Sequence, residues 1–420
     1  MFDFVHSKEN ILKYRKSEKD FTRSSPLSFP VVASTVLHLF KESVEYNLLN
    51  FLPDIGSGPV SASAFSQARY KVKGDFFRDL HEMVSEWAGS RGPTPTWKGY
   101  ALYAGDGSTE NLPPTKAIKE HFGVESTTKY GVDRCLAKIF MVYSVLDKFV
   151  HDAELHLRRR GEKTMLTDSL DRMPLKEGSV LLLDRGFGNL CVAKHLRKKG
   201  LEFCIRLSTG LSNFAKEMME NPLDDFVTEW APSEKSKENL RKNNLDYEPL
   251  TVRVTKIKLD SGETELLVST LLDKTEVSHR DMAELYHLRW GVEEGFKNLK
   301  PKMKLGYFGC GKPEGIQQEF YAHIFCMNLV SLTGSIAETV IRGKTKKRKL
   351  SYTYNWKNAY RVVRDRIGGL LYLSGRKAEE LLEEICRLIS KSTIAIKPDR
   401  NFPRDLRDSA ISGRLCPMNK

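Results

Sequence analysis

The chain has 420 residues, a net charge of +13, and 40% hydrophobic against 29% charged residues. That length suggests about two to four domains and a core large enough to need no staples. No run of about 18 apolar residues argues for a membrane span, and seven scattered cysteines without a C-x-x-C argue against a disulfide framework or zinc site and for a reducing cytoplasm.

In chain order, residues 1 to 92 read as a helical N-terminal region. Met1 to Lys19 is charged throughout and shows no apolar signal region. Val32, Val36, Leu39, Phe40, Val44 and Leu48 recur at helical spacing and predict one helix over Val31 to Leu52. Pro53 to Pro59 reads as a loop. Ser61 to Lys73 predicts a short helix and Phe76 to Trp87 another. With Arg69, Lys71 and Lys73 exposed, this region fits a DNA-binding module, and it fits a plain helical bundle equally.

Ser90 to Pro95 breaks the pattern. Tyr100 to Gly105 then predicts a strand ending at Asp106. Leu136 to Leu146 and Phe149 to Leu157 predict a strand pair, and Glu162 to Met173 a helix. Ser179 to Asp184 reads as a buried strand, Asn189 to Lys199 as a helix, and Glu202 to Leu207 as a strand. The order β-β-β-α-β-α-β predicts an α/β fold with a covered sheet over residues 93 to 208. Residues 209 to 280 read as a β-rich insertion, with Asp260-Ser261-Gly262 turning a hairpin between Thr251 to Leu259 and Glu265 to Leu272.

From 281 to 341 the core resumes, with a helix starting near Ser278 and an apolar core helix over Glu319 to Ile336. Residues 342 to 420 form a basic helical C-terminal region. Trp356 to Ile367 and Lys377 to Ile389 are amphipathic helices, and Pro398 to Lys420 reads as a basic extended tail. Residues 341 to 420 hold 20 Lys/Arg against 8 Asp/Glu, so the last fifth of the chain carries nearly all the excess charge. Such a tail fits polyanion binding, since each neutralised phosphate releases condensed counterion. It also fits a solubilising tail.

The chemistry-bearing stretch is Tyr286 to Lys300. Tyr286, Arg289, Glu293, Lys297 and Lys300 follow at spacings of three, four, four and three, which stack along one helical stripe. A carboxylate framed by cations and a phenol suits a metal ion facing a phosphodiester. A solvated charged face with ordinary spaced pairs fits the same spacing. Two further acids end apolar strands: Asp106 in Gly105-Asp106-Gly107-Ser108, and Asp184 before Arg185-Gly186-Phe187. Ligand sites of sheets with parallel strands lie beyond the carboxyl ends of those strands. Mg²⁺ accepts a few carboxylates plus water and phosphate oxygens. Two ions about 3.5–4 Å apart would serve both the attacking and the leaving oxygen. Asp106 also fits plain turn chemistry, and Asp184 a helix cap.

Tyr286, Arg289, Glu293 and Lys300 form the pattern Tyr-x2-Arg-x3-Glu-x6-Lys. Trp97-Lys98-Gly99-Tyr100 leads to Asp106-Gly107-Ser108, and Leu181-Leu182-Leu183-Asp184-Arg185-Gly186-Phe187 follows. Together they resemble the DDE transposases of bacterial insertion sequences, in the family conventionally numbered four, from about Trp97 to Asn328. The resemblance implies a ribonuclease H-like catalytic core, a mixed sheet with flanking helices, interrupted by a mainly β insertion. It implies Asp106, Asp184 and Glu293 as catalytic and metal-binding residues for two Mg²⁺ ions per site, with Mn²⁺ as a substitute. It implies Tyr286, Arg289 and Lys300, with Lys297 beside them, on the phosphates of transposon ends. It also suggests a base-stacking Trp, for which Trp230 is the candidate within the insertion. The implied partners are terminal inverted repeats, target DNA and a second copy of the chain, in the bacterial cytoplasm at the nucleoid. The implied reaction is cut-and-paste transposition through a hairpin.

Three rivals stand beside this reading. A metal nuclease with the same fold would cut without joining paired ends, and a domesticated relative would bind DNA without catalysis. An aspartyl-phosphate phosphatase would need a second Asp two residues from the first, and Ser108 stands after Asp106 where Ala104 stands before it.

Overall fold

The computed structural model describes every residue except 40–41, 91–94, 128–130, 211 and 398–420. The basic tail expected over Pro398 to Lys420 lies outside the described residues. Among the described residues six helices open the chain: α1 Phe2–His6, α2 Lys8–Tyr14, α3 Phe29–His38, α4 Val44–Asp54, α5 Ala62–Arg69 and α6 Asp75–Ser90. The single helix expected over Val31 to Leu52 is therefore two. The Ser43 hydroxyl accepts from the Tyr46 N–H and starts α4 afresh, so the apolar spacing runs across a break.

The sheet follows, with α7 Lys116–Phe122, α8 Glu162–Arg172, α9 Leu190–Lys198, α10 Asn213–Glu220 and α11 Glu234–Lys242 between its strands. The strands are β1 Leu102–Leu112, β2 Ser126–Thr127, β3 Asp133–Ser144, β4 Phe149–Leu157, β5 Val180–Leu183, β6 Glu202–Leu207, β7 Asp225–Trp230, β8 Leu250–Lys258 and β9 Thr264–Ser269. Their spatial order is β4-β3-β1-β5-β6-β9-β8-β7, with β2 also on β3. β1, β3 and β4 pair antiparallel, β1, β5 and β6 parallel, and β9, β8 and β7 antiparallel. The fold is thus mixed α/β. The expected β-β-β-α-β-α-β order is present as β1, β3, β4, α8, β5, α9, β6, and β7 to β9 extend the same sheet.

β1 differs from expectation in a way that matters. It does not stop before Asp106 but runs on to Leu112. Its antiparallel partner β3 follows it to the Leu112–Cys135 pair, whereas its parallel partner β5 stops at the Gly105–Leu183 pair. Asp106 therefore leaves the parallel sheet while still anchored on its other side.

Alternation along the strands sends two apolar sets to opposite faces. Leu102, Ala104, Leu182 and Cys204 join a core shared with the N-terminal helices and the rest of the chain. Leu181, Leu183, Phe203 and Ile205 pack under α8 and α9. Then come α12 His279–Leu288, α13 Gly291–Lys297, α14 Pro313–Thr345, α15 Trp356–Asp365, α16 Ile367–Tyr372 and α17 Arg376–Lys391, with β10 Tyr352–Tyr354 and β11 Thr393–Ala395 paired antiparallel. Among the described residues α14 alone is long and apolar enough to cross a bilayer, and it is largely buried inside the protein. Asn328 of α14 accepts from the Val150 N–H and donates to the Val150 carbonyl, pinning the helix to β4.

Candidate active site

The register of the sheet brings the first two acids together. Gly105 pairs with Leu183 in the last parallel pair of β1 and β5, so Asp106 and Asp184 each stand one residue beyond it. The Asp106 Oδ1 accepts from the Gly107 N–H at 2.8 Å, and the Asp184 Oδ1 from the Gly186 N–H at 2.8 Å. Asp184 thus caps the 3₁₀ turn Arg185–Phe187, one of the two roles its sequence allowed. Burial, and then the charge of Asp184, push the Asp106 carboxyl up to about 7, although the Gly107 N–H and Arg289 oppose this.

The third acid sits on the covering helices, which the Ser278–Asp281 capping box starts. The expected single stripe is broken. α12 ends at Leu288, α13 begins at Gly291, and Asn298–Lys302 closes as one π turn containing Pro301. Proline cannot continue an α-helical ladder, so the 3.6-residue spacing fails before Lys300. Arg289 caps α12 and bonds Glu293 at 3.1 Å through Nη2. It lies 5.7 Å from the Tyr286 ring and 5.4 Å from the Trp290 ring. It is 8% exposed, and its Nε–H has no hydrogen-bond partner among the described residues. Tyr286 is buried, which raises its hydroxyl well above the ordinary range. Lys300 turns back onto β1, donating to the Thr109 carbonyl and lying 3.6 Å from Glu110. Lys297 is exposed and pairs with Glu294.

Asp106 feels both Asp184 and Arg289, and Arg289 holds Glu293. Among the described residues no three His, Cys, Asp or Glu side chains stand close enough together to hold an ion. The Arg289 guanidinium places positive charge beside Glu293 and Asp106. The donor set nevertheless fits a hard divalent cation. Two carboxylates stand beyond the parallel pair, the Asp106 carboxyl raised by burial and by the charge of Asp184, and a cation would relieve that cost.

This has a consequence for stability. Because the carboxyl sits above its ordinary value of 3.8, the ion-free fold keeps a proton that the unfolded chain has lost between about pH 4 and pH 7. The group's contribution is present below that window and is lost as pH rises through it. The melting temperature of chelator-treated protein should therefore fall over this range by an amount that Asp106→Asn removes. Scanning calorimetry giving parallel curves for the two proteins would contradict the assignment.

Three residues expected on DNA have partners within the protein. Arg69 is 2% exposed and bonds Gln318 Oε1 at 3.1 Å, Glu319 Oε1 at 3.0 Å and the Gly315 carbonyl, so it ties α5 to α14. Trp230, the last residue of β7, is 5% exposed and stacked on Phe214 with ring centroids 5.0 Å apart, within the core. A ring already covered there cannot also stack a base. Lys73 donates to the Lys13 carbonyl at 2.8 Å and ties α2 to the turn before α6.

The sequence reading also passed over Arg206. Leu183 pairs with Ile205, so Arg206 stands level with Asp184 and Asp106 across three strands. Its guanidinium spans Glu263 and Glu265, each at 2.7 Å, and its charge reaches Tyr286. The signal was its alternation with Cys204 in Glu202 to Leu207.

A family described as the transposase DDE domain matches residues 98–329, more than half of the chain. The chain belongs to the DDE transposases, of the insertion-sequence-four type. Transposase InsG for insertion sequence element IS4, from Escherichia coli strain K12, is 20% identical over 395 residues, covering 92% of this chain and 86% of that protein. A piggyBac transposase, solved as a synaptic complex with hairpin DNA, aligns over 100% of this chain and 85% of its own at 13% identity. Its TM-score is 0.46.

Proposed function

We propose that the chain cuts an insertion sequence out of DNA and pastes it into a target, working as a homodimer on paired terminal inverted repeats. The observation that carries this reading is the placement of Asp106 and Asp184 just beyond the last parallel pair, with Arg289–Glu293 on the helices that cover them. The strand order β4-β3-β1-β5-β6, three antiparallel strands leading into a parallel run, supports a ribonuclease H-like core.

Asp106, Asp184 and Glu293 are the residues that would hold two Mg²⁺ ions, or Mn²⁺ in their place. When bound, the ions supply an activated water and stabilise the leaving oxygen. The chain's own residues do the rest. Arg289, with one buried N–H to spare, donates to a phosphate oxygen. Tyr286 and Lys300 hold the flanking phosphates, and Lys297 stands exposed beside them. Hydrolysis of one strand, hairpin formation by the freed 3′ hydroxyl, hairpin opening and strand transfer are all in-line phosphoryl transfers, so one site serves each in turn. We assign 1–92 to DNA binding, 93–208 and 281–341 to the catalytic core, 209–280 to the insertion and 342–420 to end binding or synapsis. The work takes place in the bacterial cytoplasm, at the nucleoid.

The test uses duplexes carrying the inverted-repeat ends of the element that encodes the chain. With Mg²⁺, purified protein should cut these at the end and spare a scrambled duplex. Equal cutting of both would favour a plain metal nuclease. Lys300→Ala should weaken end binding and lower the slope of log K against log salt by about 1, the signature of one lost phosphate contact. A titration over several salt concentrations in which the two slopes coincide would remove Lys300 from the DNA.

A further inference from the structure

The second glycine of Gly105-Asp106-Gly107 has a use that the turn chemistry of the motif does not explain. Gly107 lies within β1, beyond the last pair with β5, so only β3 fixes its peptide through the ladder. Over its Cα lies Glu162, from the first turn of α8. A Cβ at position 107 would fall inside the Glu162 carboxyl group, with even the Glu162 Cγ only 2.7 Å away. Lys138 of β3 holds that carboxylate at 2.7 Å, and both side chains are largely shielded, 15% and 32% exposed. The peptide beneath Glu162 donates the N–H that holds Asp106 Oδ1 at 2.8 Å.

We infer that Glu162 is a positioning residue: clamped by Lys138 onto Gly107, it fixes the peptide that orients the Asp106 carboxylate. This rests on the reading of Asp106 as a catalytic acid. A carboxylate that must meet an ion and a phosphate tolerates little drift, since misplacement by about 1 Å can cost about a hundredfold in rate. Gly107→Ala perturbs the same contact from the other side. Its backbone is ordinary extended strand, and the clash falls on a side chain that can swing away.

The test measures single-turnover cleavage of the element's own end by the full chain, with end binding and the Mg²⁺ concentration for half-maximal rate recorded in parallel. Glu162→Ala should slow cleavage by about 10- to 100-fold and raise the Mg²⁺ requirement, while binding changes less than about twofold. Gly107→Ala should do the same, and the double variant should lose no more than either single one. Glu162→Gln, which keeps the bulk and an acceptor for Lys138, should recover most of the rate. Wild-type cleavage by Glu162→Ala, or multiplying losses in the double variant, would overturn the inference. So would Glu162→Gln as slow as Glu162→Ala, which would make Glu162 a direct ligand. Asp106→Asn, run beside them, separates the two readings, because activity in that variant would sink the site itself.

Discussion

Replacing Asp106 by asparagine is expected to slow strand cleavage about a thousandfold or more while leaving end binding within a few-fold of wild type. If Asp106 holds an ion together with Asp184, as proposed, its charge contributes several kcal/mol to the transition state, and about 4 kcal/mol corresponds to three orders of magnitude. Asparagine keeps the shape and an oxygen to accept from Gly107 but lacks the charge. The separation matters because the cations on the covering helices, not the acids, are assigned to the phosphates. A gel-shift titration beside a single-turnover cleavage assay reads both quantities. Cleavage at the wild-type rate would remove Asp106 from the chemistry. Loss of binding equal to loss of cleavage would make it a folding or docking residue.

The second large effect is on stability. Arg69→Ala should cost about 3–5 kcal/mol, because it takes the guanidinium from the buried carboxylate of Glu319, itself 4% exposed, and the donor from Gln318 Oε1. Arg69→Met, which fills the space, should cost nearly as much while Glu319 remains. Pairing it with Glu319→Gln should recover part of the loss, since no buried charge is then unpaired. Urea unfolding of the purified variants measures this. In the folded fraction, end binding should match wild type. A variant of normal stability with weakened DNA binding would restore the arginine to the DNA surface.

These two residues show where the sequence was legible and where it was not. Asp184 could be read directly, since four apolar residues before an acid make a buried strand with a charge at its end. The core order was readable for the same reason, because strand and helix periods differ. Asp106 was readable as an acid at the end of the apolar half of its strand. The length of β1 was not, because its second half is held by β3 alone and its own residues, Asp106 to Glu110, are polar. Arg69 looked like one of three surface cations because its partners, Gln318 and Glu319, lie about 250 residues away in the chain. Trp230 looked available for stacking because Phe214, which covers it, comes from a separate helix of the insertion. The stripe from Tyr286 to Lys300 was read from helical spacing alone. It assumed one unbroken helix, whereas the chain bends at Arg289 and again at Pro301. The bends turn Arg289 toward Glu293 and Lys300 toward β1. Arg206 and Glu162 join the site only through sheet register and the packing of α8, which no local pattern encodes.

The measurement that bears most directly on the whole account is Mg²⁺-dependent excision from a donor carrying the element's own two ends, with Glu293→Gln as the paired variant. The wild-type chain should give end-specific excision with hairpinned ends. The variant should give none, although it still binds and pairs the ends. Excision by Glu293→Gln at the wild-type rate would contradict the three-acid site.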